Sequence, residues 1–105
     1  MNAAERFALY RRVIAAYGQA HQILKVLEEF GECAAAIARY FAGERVTADL
    51  RTELICELAD AEITREQVML MAGITAEDLA AAKAWKLERL LKLVEERESK
   101  CQPTV

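Results

Sequence analysis

Helix breakers are scarce in this chain. It has one proline, Pro103, and four glycines, Gly18, Gly31, Gly43 and Gly73, and these are the residue types that most often interrupt regular structure. Between them apolar residues recur every three or four positions, the period of a helix with one face turned inward. Phe7, Tyr10, Val13, Ile14 and Tyr17 mark a first helix over residues 3–17 that closes at Gly18. Ile23, Leu27, Phe30, Ala34, Ile37 and Phe41 mark the inward face of a second, from about residue 20 to 41, stopped by Ala42-Gly43. A third carries Leu50, Leu54, Leu58, Ala61 and Val68, with Thr47 or Asp49 as its cap and its end near Ala72-Gly73. Thr75-Ala76-Glu77-Asp78 is a stronger start signal, an N-cap threonine followed by acids in the first turn. The fourth helix then runs through Leu79, Trp85, Leu87, Leu90, Leu91 and Val94 to a polar tail over 99–105. No alternating β-branched run marks a strand. The expected fold is all-α, a bundle of three to four helices.

A chain of 105 residues has room for one domain, here 1–105, with its informative part over about 17–96. So small a chain buries a modest share of its surface, so a second copy is expected to complete the bundle, as a homodimer or a dimer of dimers. The net charge of -3 gives no general basic field, which argues against nucleic acid as a partner. Cys33, Cys56 and Cys101 are odd in number and form no CxxC pair, the pattern of free thiols in a reducing compartment. Cys33 and Cys56 fall inside helical patterns and are expected in the core. The first residues lack the apolar stretch of a secretory signal, and no apolar run approaches the ~20 residues of a membrane span. The expected location is cytoplasmic, without membrane association.

The functional signal is two pairs of carboxylates. Residues three apart on a helix share a face, so Glu29 and Glu32 project together, as do Glu57 and Asp60, with Glu53 one turn earlier. On the second helix the pair points away from the Ile23/Leu27/Phe30 face. On the third the acids are flanked by apolar residues on both sides, Leu54, Leu58 and Ala61 on one and Cys56, Ala59 and Ile63 on the other. An acidic stripe so flanked is expected to have something packed around it. Glutamates also decorate solvated helix faces freely, and that reading stands beside the functional one. If the four carboxylates converge, their repulsion is relieved by proton uptake or by a divalent cation. Mg²⁺ suits such a site, since it takes oxygen ligands and commonly bridges carboxylates to substrate phosphates.

The ordered pattern Glu28-Glu29-Phe30-Gly31-Glu32, then Glu57-Leu58-Ala59-Asp60, resembles the EExxE and ExxD motifs of the MazG-like all-α nucleoside triphosphate pyrophosphohydrolases. Tyr17-Gly18-Gln19-Ala20-His21-Gln22 resembles the segment entering that family's first acidic helix, and Lys86-Leu87-Glu88-Arg89 its C-terminal basic motif. The likeness covers roughly residues 17–96. It implies Mg²⁺-dependent cleavage of a (deoxy)nucleoside triphosphate to the monophosphate and pyrophosphate, in housekeeping of the nucleotide pool. By resemblance Glu29, Glu32, Glu57 and Asp60 are the catalytic metal ligands and Lys86 meets the substrate phosphates. His21 and Gln22 are further candidate substrate-binding residues, beside the reading of His21 as an ordinary polar residue at a helix start. The chain departs from many relatives at Leu90, where they carry asparagine, and at Thr64, where they carry an aromatic residue. The alternative is a non-catalytic helical module of the same fold that binds a nucleotide or a partner protein, which the polar Thr64-Arg65-Glu66 run supports.

Overall fold

The structure is a computed structural model that describes residues 1–43 and 47–101. It is all-α: α1 spans Ala3–Tyr17, α2 Gln19–Ala42, α3 Ala48–Ala72 and α4 Ala76–Cys101. No strand occurs among the described residues. No described helix is long and apolar enough to cross a membrane. The chain divides into two compact units, Met1–Gly73 and Ile74–Val105.

The helix ends follow local chemistry. Asn2 caps α1 in a reciprocal box, its side chain accepting from the Glu5 amide at 2.8 Å while Glu5 accepts from the Asn2 amide at 3.4 Å. Gly18 closes α1 at φ 90°, a left-handed value that disfavours any side chain, and α2 begins at the next residue. Of the two expected caps for α3 it is Thr47 that serves, its Oγ1 accepting from the Leu50 amide at 3.1 Å. Gly73 ends α3 in the left-handed conformation, φ 68°. Thr75 and Asp78 cap α4 reciprocally, at 2.9 and 3.0 Å. That helix continues through Ser99 and Lys100 to Cys101, into the stretch expected as tail; residues 102–105, Pro103 among them, lie outside the described residues.

In the first unit α2 and α3 form the main pairing, and α1 lies against both. Contacts between Gln22 and Gln67 at one end, and between Arg39 and Glu53 at the other, make α2 and α3 antiparallel. Tyr10, Val26, Cys33, Ala36 and Met69 form the buried apolar core. Two expectations about the core are corrected here. The face of α2 turned inward is Gln22, Val26, Cys33 and Ala36, whereas Ile23, Leu27, Phe30, Ile37 and Phe41 stay 41–75% exposed. α2 is apolar on two faces, and the one carrying Val26, Cys33 and Ala36 is the one buried within this unit. Cys56 is exposed, unlike Cys33. In the second unit α4 buries no residue, so Trp85, Leu87, Leu90 and Leu91 remain more than half exposed.

Candidate metal centre

Turning the Gln22/Val26/Cys33 face inward brings Glu29, which lies on the same face, against α3. There it meets the acidic stripe of that helix. One carboxylate oxygen each from Glu29, Glu57 and Asp60 lies within 4.8 Å of the others, and all three residues are half-buried. Of the apolar residues flanking the α3 stripe only Leu54 and Ala61 are half-buried, whereas Cys56, Leu58, Ala59 and Ile63 stay exposed. Glu32, three residues beyond Glu29, is exposed and outside this group of three, though its charge still reaches Glu57. Burial, then the charges of Glu32, Asp60, Glu29 and Glu53, push the Glu57 carboxyl above its ordinary range.

The hydrogen bonding around the group is incomplete. Lys25 approaches Glu29 Oε1 at 3.3 Å and Glu28 at 3.7 Å. The bond to Glu29, then the charges of Glu28 and Glu29, hold the Lys25 ammonium above its usual range. Glu29 Oε2 and Glu57 Oε2 are buried without any hydrogen-bond partner among the described residues. Buried polar atoms nearly always have partners, so two orphaned anionic oxygens in one cluster are an anomaly with a chemical cause. Proton uptake would answer it, and so would a hard divalent cation: the donor set is all oxygen and all carboxylate, which suits Mg²⁺, Mn²⁺ or Ca²⁺ and not a soft, thiolate-seeking metal. The residues present therefore fit an ion of the Mg²⁺ kind.

Beside the carboxylates opens a cavity of about 560 Å³ whose wall includes Tyr17, His21, Lys25, Glu29 and Asp60. The Tyr17 and His21 rings, on either side of the Gly18 break, stack at 5.3 Å between centroids and 21° between planes. His21 Nδ1 lies 3.0 Å from Gln22 Oε1, and Gln22 donates through Nε2 to Gln67 Oε1 at 3.1 Å. Thr64 turns its hydroxyl back onto the Asp60 and Ala61 carbonyls, at 2.8 and 3.2 Å. Lys86 belongs to the second unit, where its Nζ stands 5.7 Å from the centroid of the Trp85 ring.

The structure thus gathers Glu29 and Asp60 with His21 and Gln22 around one space, adds Lys25, Tyr17, Thr64 and Gln67, and sets Glu57 against Glu29 and Asp60 in the carboxylate group. A signal for the additions existed: Glu57, Asp60, Thr64 and Gln67 follow at spacings of three, four and three along one face of α3. No protein-family model, curated protein or solved structure matches this chain.

Proposed function

We propose that this protein is a Mg²⁺-dependent nucleoside triphosphate pyrophosphohydrolase of the MazG-like kind, releasing pyrophosphate and a monophosphate. The observation that carries the reading is the half-buried group Glu29, Glu57 and Asp60, with two carboxylate oxygens that have no partner among the described residues. These three side chains would hold the cation, with Glu32 reaching it from the exposed side. A bound Mg²⁺ neutralises phosphate charge and makes a nucleophilic water available near neutral pH. Lys25, on the cavity wall, places an ammonium where the phosphates would lie and stabilises charge as it develops on them. The resemblance gives Lys86 the same task.

A homodimer belongs to the same proposal. α2 leaves Ile23, Leu27 and Phe30 uncovered, and they line an apolar groove of about 430 Å³ with Val68 and Met71. Exposed apolar surface of this extent marks an interaction face.

The test is pyrophosphate release from a panel of (d)NTPs with Mg²⁺. Asp60→Ala and Glu57→Ala are expected to lower it by about 100-fold or more, the scale of losing a metal's charge stabilisation. Unchanged release in Asp60→Ala would overturn the site. Mg²⁺-dependent nucleotide binding without release would leave the non-catalytic module in its place.

A further inference from the structure

The three buried polar side chains among the described residues are Gln22, Thr64 and Gln67, each 5–7% exposed. All three line the cavity beside the carboxylates. A helix pair packed only for stability would place aliphatic side chains there, since a buried amide contributes little net stability even when bonded and costs much when it is not. Their internal hydrogen bonds leave one group over. With His21 Nδ1 as donor to Gln22 Oε1, the bonds run from His21 to Gln22 and from Gln22 Nε2 to Gln67 Oε1. The Nε2 of Gln67 then has no partner among the described residues and stays open to solvent. It is a fixed N–H donor on the wall of a cavity.

The rest of the cavity supplies what a flat ring needs. Tyr17 and His21 offer a stacked aromatic surface, and aromatic faces bind nucleobases by stacking whatever their sequence identity. The volume of about 560 Å³ falls inside the usual range of small-molecule sites. Gln22 and Glu29 are seven residues apart on α2, and Asp60 and Gln67 seven apart on α3. The amides therefore lie about 10 Å along the helices from the carboxylates, which leaves space for a sugar between base and phosphates.

Resting on the nucleotide reading above, we infer that this cavity receives the base and that Gln67 is its specificity-determining residue, selecting rings with a carbonyl oxygen on the inserted edge. Thymine, uracil, guanine and hypoxanthine present such an acceptor, whereas adenine presents an amino donor at the matching place. A donor facing a donor leaves both desolvated and unpaired, so adenine is disfavoured.

The experiment is calorimetric binding of dTMP, dGMP and dAMP with Mg²⁺, to the wild-type chain and to Gln67→Leu and Gln67→Glu. Monophosphates carry no anhydride bond, so binding is read independently of hydrolysis. The wild type is expected to hold dTMP and dGMP about tenfold more tightly than dAMP, the scale of one hydrogen bond. Gln67→Leu should erase that ratio. Gln67→Glu keeps an oxygen for the Gln22 amide, and so keeps the packing, but replaces the donor and should erase or invert the preference. A preference unchanged in both variants, a wild type that favours dAMP, or a wild type that binds none of the three overturns the inference. Selective binding without pyrophosphate release from triphosphates strikes only the proposed reaction; release with unselective binding strikes only the role of Gln67.

Discussion

Replacing Tyr10 by phenylalanine removes a single oxygen from the place where α1 is fastened to α3. Tyr10 is 3% exposed, and its hydroxyl donates to Glu66 Oε1 at 2.7 Å. Arg6 grips the same carboxylate through Nε at 2.9 Å and Nη2 at 3.0 Å. A hydrogen bond to a charged acceptor contributes about 1.5–3 kcal/mol. Because Arg6 keeps Glu66 satisfied in the variant, the lower end applies, a loss of about 1.5 kcal/mol. Domains of this size shift by about 4–8 °C per kcal/mol, so the Tm should fall by about 6–12 °C.

The pH dependence gives the sharper check. Burial first, then the bond to Glu66, raises the Tyr10 phenol from 10.0 to about 12. A raised pKa means the folded state favours the protonated phenol, so this stability is complete below pH 10.0 and lost as pH rises toward about 12. The Arg6 bond, foremost, holds the Glu66 carboxyl below its ordinary 4.5. Its contribution is present above 4.5 and lost as pH falls through the depressed folded value. Thermal unfolding followed by circular dichroism should therefore show the widest gap between wild type and Tyr10→Phe on the plateau between these limits, closing in alkali. A gap below about 0.5 kcal/mol at neutral pH, or one of the same size at about pH 12, would refute the reasoning. The fastening also bears on the site, because Val13 and Tyr17 of α1 form part of the cavity wall.

Glu57, with its carboxyl pKa raised, binds a proton more readily in the folded state. The metal-free protein should thus gain stability as pH falls through that pKa, Glu57→Gln should lose this dependence, and Mg²⁺ affinity should weaken in acid because proton and cation compete. Light scattering should give a mass at least twice that of one chain, and Leu27→Glu, on the uncovered face of α2, should return it to monomer; a wild-type monomer at every concentration would remove the dimer. Thr75→Ala breaks the reciprocal cap of α4 and should cost about 1 kcal/mol, measurable as earlier loss of helical signal; an unchanged melt would show that the cap contributes nothing.

What the sequence determined by itself is what short-range chemistry controls. Gly18 and Gly73 end helices because φ near 90° or 68° excludes most side chains, and Thr47, Thr75 and Asp78 start helices through bonds spanning three residues. The pairing of Glu57 with Asp60 is likewise a matter of helical pitch. Which face of α2 turns inward was decided only by the tertiary structure. Periodicity finds an apolar face but cannot rank two, and the face buried against the rest of the unit carries Val26, Cys33 and Ala36 and not the larger stripe. That choice drew Glu29 into the cluster and left Glu32 outside it. The bonds of Gln22 to Gln67, 45 residues apart, and of Arg6 to Glu66, 60 apart, follow from the same docking. Local pattern does not encode them because each depends on where two separate helices meet, and that is set by the packing of their whole facing surfaces.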